Sequence, residues 1–237
     1  MTVNHAQNIP LVGYQQSGIH AGIAETGALN TEAFTRSFGT SSFTIRVPRF
    51  ADFERWRTTR VTHADFLSPA FGEAGRTWKE LNTPAAWIEK YVTDRRLSRR
   101  GLSFPHLLVE TAQTTTVKKN PIVAGEVNIS RVDGLSHAGE LSVWCTPSVH
   151  QSEVTGWAGH VVVLNAFTRT NPLRWVIAPV AVDNPRPAKG LALAGFERTA
   201  TLRRQRDYAG SPTDHDLWVC ENTDRNRIRL RELMDIA

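Results

Sequence analysis

The sequence predicts an α+β fold, with a mixed, mostly antiparallel central sheet flanked by helices. Three observations predict it. Segments of strand period and helix period succeed one another as strand, two helices, three strands, helix, strand, helix and two strands. The runs 104–110 and 122–132 are joined by a polar stretch at 114–120, which marks an antiparallel hairpin. LRWVIAPVAV, at 173–182, is an almost unbroken apolar run, as expected of a strand covered on both faces.

Residues 1–42 carry almost no charge and many Gly, Ser, Thr and Gln, so they read as an N-terminal extension, flexible or lying on the domain. Within them a short helix over 21–33 is one reading. FTIRVPRF, at 43–50, alternates as the first strand. Asp52 then caps a helix that starts one face with Phe53, Trp56 and Arg57 and closes at Phe66 and Leu67 before Pro69. Thr83-Pro84 is an N-cap followed by proline in the first helical position, and Trp87, Ile88, Tyr91 and Val92 form the inner side of that helix. The hairpin strands follow. Then come the strand Glu140 to Cys145, the helical run Val161 to Phe167 and the apolar strand. A short helix opened by Asn184 ends at Gly195, and the strands 196–202 and 215–221 close the sheet. The tail, 222–237, is amphipathic and helical, with Ile228, Leu230, Leu233 and Met234 as its apolar set. The domain proper spans 43–221.

With 41% hydrophobic and 22% charged residues, the composition is that of a soluble globular protein, and no apolar run reaches the roughly 20 residues of a membrane span. No basic start and apolar stretch of a signal peptide is visible, so the expected location is the cytoplasm. Two cysteines make no disulfide framework, and neither they nor His150 and His160 have metal spacing, so no metal is expected. A net charge of +5 suits an anionic ligand. The arginine clusters at 95–100, 203–206 and 225–231 lack interleaved aromatics and read as solvated faces, so nucleic acid is not an expected partner. A monomer and a homodimer both suit this composition.

The chain is organised around 139–170. Thr155 stands at the N-cap of a helix, followed by Gly156, Trp157, Ala158 and Gly159. Small residues at a helix start let a ligand approach the backbone, and the bare N–H groups with the helix dipole favour an anion. The stretch is a phosphate cradle in form.

Four segments in order resemble the GNAT N-acetyltransferases, and within them the Rim-type branch of ribosomal-protein-alanine N-acetyltransferases. They are IRVPRFADFERW at the opening strand and helix, GELSVW at 139–144, VDNPRPAKGLALAGF at 182–196, and the spaced set Gly210, Asp214 and Trp218. The resemblance covers about 43–221 and implies the GNAT acyl-CoA N-acyltransferase fold, acetyl-CoA as donor and no metal. The acceptor it implies is a primary amine, either a protein N-terminus or a small molecule. It places Val143, Trp144 and Cys145 on the pantetheine, Val154 to Gly159 (Val154, Thr155, Gly156, Trp157, Ala158, Gly159) on the pyrophosphate, and Asn184 on the pantetheine arm. It also makes Glu140 the general base. The residue chemistry by itself leaves Glu140 as either a base or a salt-bridged glutamate at a strand start.

The chain departs from the family pattern at three positions. Glu153 stands where the cradle usually begins with Arg or Gln, Pro187 replaces a serine, and Leu191 stands where many relatives carry an acidic tyrosine. Tyr208 and His215 are the fallback acids, against a plain surface role. Cys145 and His160 read as packing residues, with a phosphate contact as the other reading of His160. The competing function is a GNAT-fold module that binds acyl-CoA, or has lost it, and acts without catalysis.

Overall fold

The computed structural model describes residues 33–112, 120–135, 137–149 and 153–236. The element order is β1 (Phe34–Phe38), β2 (Ser41–Arg46), α1 (Phe53–Thr62), α2 (Ala64–Phe71), α3 (Pro84–Arg99), β3 (Ser103–Ala112), β4 (Ile122–Arg131), β5 (Ala138–Cys145), α4 (Glu153–Thr168), β6 (Trp175–Ala181), α5 (Arg186–Leu193), β7 (Glu197–Tyr208), β8 (Ser211–Glu221) and α6 (Asp224–Ile236). The eight strands form one sheet in the order β1-β2-β3-β4-β5-β6-β8-β7. Every neighbouring pair is antiparallel except β5 and β6. The expected α+β fold with its mostly antiparallel sheet is present.

Side-chain alternation distributes the core over two faces. On β3, Leu107 and Val109 join Trp56, Leu67, Trp87, Val123 and Trp144 under α1–α3. Leu108, between them, joins the larger cluster of Ile45, Val127, Ile129, Cys145 and the α4 side chains. Helix α4 is buried on most of its circumference, through Val154, Trp157, Ala158, Val161, Val162, Val163, Ala166 and Phe167. An apolar helix of that kind needs cover on all sides. It has the sheet on one side, α6 on another, and Phe38 of β1 against Trp157 at 5.7 Å between ring centroids.

Several local expectations change. The sheet begins inside the stretch read as an extension, because Phe34–Phe38 pairs antiparallel with β2 and places Phe34 and Phe38 on the α4 core. The proposed helix over 21–33 lies outside the described residues, apart from Ala33. The first helix breaks at His63, and Pro69 sits within α2 rather than beyond it. Asp52 precedes α1 as expected, but its carboxylate turns back to accept from Arg46 at 2.7 Å on both oxygens and from the Arg49 N–H. Burial would raise its pKa, yet these bonds outweigh burial and hold it below the usual carboxylate range. Thr83 caps α3 as its sequence promises, accepting from the Ala86 N–H at 3.2 Å. Trp87 faces inward from α3, whereas Ile88 and Val92 face solvent. In α6 Leu230 is fully buried, and Ile228 is exposed. Asn184 lies in the turn after β6, and α5 starts two residues later at Arg186. Gly195 ends that segment with φ +88, and a Cβ there would meet Asn226 Oδ1 at 2.7 Å, so only glycine fits. Among the described residues no helix is long and apolar enough to cross a membrane.

Candidate active site

Strands β5 and β6 run side by side for only three residue pairs, Ala138 with Trp175, Gly139 with Val176 and Glu140 with Ile177. Beyond them β5 continues to Cys145 and β6 to Ala181, each still paired to its outer neighbour but not to the other. The sheet therefore opens into a wedge. The pairing that precedes it is tight: a Cβ on Gly139 would come within 2.5 Å of Leu173 and 2.6 Å of Ile129. Only a glycine admits these side chains so close to the strand.

Of the residues that the resemblance places on the pantetheine, Val143 and Cys145 turn their side chains to the α4 face, where both pack on the core. Trp144 points to the opposite face and is buried, its indole N–H donating to Glu126. Any contribution of these residues to a ligand in the wedge comes through their backbone. Burial pushes the Cys145 thiol pKa up, which opposes a nucleophilic role.

The cradle is shorter than expected. Helix α4 already includes Glu153, so Thr155 is an intrahelical residue and not the N-cap. An α-helix leaves only its first four N–H groups without an intrahelical acceptor. The N–H groups of Trp157, Ala158 and Gly159 are thus spent on carbonyls four residues back, and the Trp157 and Ala158 side chains are sealed in the core. The backbone donors available to an anion are those up to Thr155, which retains Val154 and Thr155 from the expected set. Thr155 fastens this helix start to the end of β5: its hydroxyl donates to the Val149 carbonyl and lies 3.3 Å from Cys145 Sγ. A Cβ at Gly159 would meet nothing within 4 Å, and one at Gly156 would touch only His160 at 3.6 Å, so this side of the helix is open to a close approach. Glu153 is exposed in the first turn, where a carboxylate itself interacts favourably with the helix dipole by about 0.3–1 kcal/mol. Burial lowers the His160 pKa to about 4, so the ring is neutral at pH 7, and its Nδ1 is buried without a hydrogen-bond partner among the described residues. His150 lies outside the described residues.

Glu140 sits at the last paired position before the wedge. Arg206, from β7, grips it with both terminal nitrogens, Nη1 on Oε1 and Nη2 on Oε2, the latter at 2.6 Å. The bidentate guanidinium engages both carboxylate oxygens of Glu140. The geometry therefore favours the salt-bridged reading of Glu140 over the base. The β7–β8 hairpin that supplies Arg206 turns tightly through Ala209 and Gly210, both at positive φ, and the Ala209 N–H bonds the Pro69 carbonyl of α2 at 2.8 Å. Asp214 accepts from the Arg204 N–H and so holds the bulge of β7. His215 is buried rather than on the surface, with Nδ1 2.9 Å from the Thr213 carbonyl. A carbonyl only accepts, so Nδ1 carries the proton in that contact. Asn184 is half-buried beyond the end of β6, where its N–H bonds the Ala181 carbonyl. Leu191 packs on the core.

Sequence reasoning missed the densest polar cluster. Glu126, on β4 opposite Trp144, is buried on the α1–α3 face. It accepts from the indoles of Trp56 and Trp144, and Lys90 Nζ lies 3.1 Å from Oε1. Burial would raise its pKa, but Lys90, Arg60 and the two indole bonds outweigh that and hold it below the usual range. Lys90 is held above its usual value, since Glu126 and Asp94 outweigh its desolvation, whereas burial wins at Asp94 and raises that carboxyl. The signal in the sequence was a glutamate inside the apolar run IVAGEVNIS, because an acid covered on both sides must have partners.

No family model matches the chain, and no curated protein matches it. Solved structures do. RimJ of Mycobacterium smegmatis, in complex with CoA-disulfide, superposes with a TM-score of 0.69 at 19% identity, over 84% of this chain and 93% of that one. The ribosomal-protein-S5-alanine acetyltransferase of Vibrio fischeri gives 0.66 at 19% identity, over 81% and 98%. The microcin C7 self-immunity acetyltransferase MccE, in complex with acetyl-CoA and AMP, gives 0.60 at 11%, over 76% and 92%. The chain has the GNAT acetyltransferase fold in the form of the RimJ and ribosomal-protein-alanine acetyltransferase structures.

Proposed function

We propose that the protein binds acetyl-CoA in the wedge between β5 and β6 and transfers the acetyl group directly to a primary amine. The wedge carries the proposal. A sheet interrupted at its centre leaves main-chain donors and acceptors that need a partner, and the amides of a pantetheine arm supply one. The start of α4, at the end of β5, offers N–H groups to the pyrophosphate. The likeness to acetyltransferases solved with CoA or acetyl-CoA supports this reading.

In the transfer the neutral amine nitrogen bonds the thioester carbonyl carbon, the C–S bond breaks, and the proton shed by the nitrogen ends on the departing sulfur, giving the amide and the CoA thiol. A β5 backbone N–H near Val143 or Trp144 is the donor for the oxyanion. A thiolate leaving group with a pKa near 8.5 does not demand a strong acid, which accommodates Leu191 and Pro187. The base decides the acceptor. With Glu140 held by Arg206, the amine must be available neutral. An α-amine of pKa near 8 costs about 1.4 kcal/mol to deprotonate at pH 7, and a lysine near 10.4 costs about 4.6 kcal/mol. That margin of roughly 3 kcal/mol favours an α-amine.

Acetyl-CoA at a hundredfold excess over its Kd should stabilise the fold by about 2.7 kcal/mol. For a chain of this size that raises Tm by roughly 5–10 °C. No shift at millimolar acetyl-CoA eliminates the proposal. A shift without CoA-thiol release on any α-amine leaves the non-catalytic binding module as the function.

A further inference from the structure

Arg60 is 93% buried at the end of α1, an unusual place for an arginine that makes no ion pair within the described residues. Its guanidinium lies among three tryptophans, with the carbon 4.4 Å from the Trp78 ring, 4.8 Å from Trp56 and 5.6 Å from Trp144. Its Nε–H donates to Asn82 at 2.6 Å. The cage is itself locked, because Trp78 donates to the Arg60 carbonyl at 3.0 Å and Asn82 donates to the Trp78 carbonyl at 2.6 Å. The two terminal Nη groups, with four N–H bonds, meet no acceptor among the described residues, and they are not among the polar atoms sealed from solvent. Glu126 attracts Arg60 through space but is not bonded to the fork: both indoles bond its Oε2, and its Oε1 faces Lys90 at 3.1 Å. Glu73 is paired with Arg76.

The ring contacts and the Asn82 bond hold the guanidinium in place and leave its terminal donors open. Trp144 places this fork on the sheet face opposite α4, at the level of the wedge. We propose that Arg60 recognises a carboxylate on the acceptor, so that the amine substrate is an acidic one, such as a peptide with Asp or Glu next to its α-amine. This rests on the acetyltransferase reading for the identity of the ligand as acceptor. The chemistry is that of the fork itself: planar, permanently charged and matched to the two oxygens of a carboxylate. The tryptophans exclude water from the pair and strengthen it.

The test uses calorimetric binding of short peptides to the full chain, in matched Glu/Gln and Asp/Asn pairs at the first two positions. The acidic member should bind at least tenfold more tightly than its amide, and Arg60→Gln should bring the ratio to near one. Arg60→Lys, which keeps the charge and stem without the fork, should retain part of the preference and covers the case in which the glutamine variant does not fold. Equal affinity for acid and amide in the unmodified protein overturns the proposal, as does a preference unchanged by either substitution, or no peptide binding at all. Acetyl-CoA binding is measured separately, so loss of the acetyl-transfer reading leaves the acid-to-amide ratio readable.

Discussion

Replacing Glu140 by Gln distinguishes a proton-accepting carboxylate from one that holds the β7–β8 hairpin in place. The amide keeps the shape of the side chain but loses its charge, and its NH2 now faces a guanidinium that has only donors. The pair is mostly buried on the carboxylate side, 16% exposed against 31% for Arg206. Hydrogen bonds to charged groups contribute about 1.5–3 kcal/mol, and partial exposure places this loss at the lower end, about 1–2 kcal/mol. For 237 residues that is a Tm lower by roughly 3–6 °C. If Glu140 acts through Arg206, then Arg206→Gln should lower kcat/KM as far as Glu140→Gln does. The double variant should be no worse than either, because both changes break one contact. The pH–rate profile should keep its shape in all three. A general base behaves otherwise: Glu140→Gln alone would slow transfer by about 10²–10⁴. Arg206→Gln would then leave the carboxylate in place and move the acid limb of the profile upward in pH. A loss above a hundredfold confined to the Glu140 variant, or such a shift, refutes the positioning role.

Glu126→Ala removes one of the two carboxylates of Lys90 and the acceptor of two buried indoles, so urea unfolding should show a loss of about 3–5 kcal/mol. Gly156→Ala and Gly159→Ala add side chains to an open helix face, so each should stabilise the free protein by up to about 1 kcal/mol while weakening acetyl-CoA binding in titration. His106 is buried, and burial lowers its pKa to about 4. Only the unfolded chain takes up that proton between about pH 6.5 and 4. The stability is fully present above 6.5 and should fall by about 1.4 kcal/mol per pH unit through that window; a urea midpoint equal at pH 7 and 5 in the wild type would contradict it, unless other groups offset it, which His106→Gln reveals. Both thiols are buried, with Cys220 pushed up to about 12, so an aromatic disulfide reagent should label neither until the protein unfolds.

Much of the architecture was legible because strands and helices carry their own periods. The β3–β4 hairpin, the Thr83-Pro84 helix start and the doubly covered β6 each follow from a few neighbouring residues. Boundaries were legible only where a cap is local. The start of α4 was misplaced by at least two residues, because glycines at 156 and 159 read as a helix entrance, whereas tertiary packing of Val154, Trp157 and Ala158 carries the helix through them. Phe34–Phe38 was hidden for a similar reason: an edge strand exposed on alternate positions has a weak pattern, and its partners, Trp157 and α6, lie far along the chain.

The sequence by itself determined the order of elements, the α+β class and the resemblance at four segments. Tertiary structure alone decided which charges meet. Arg206 reaches Glu140 over a separation of 66 residues, Trp56 reaches Glu126 over 70, and Arg60 finds its tryptophans on α1, on β5 and in the segment before α3. Periodicity reports which face of an element is buried, a property of near neighbours in the chain. The partner of a buried charge depends on how distant elements are laid across one another, and no local spacing encodes that.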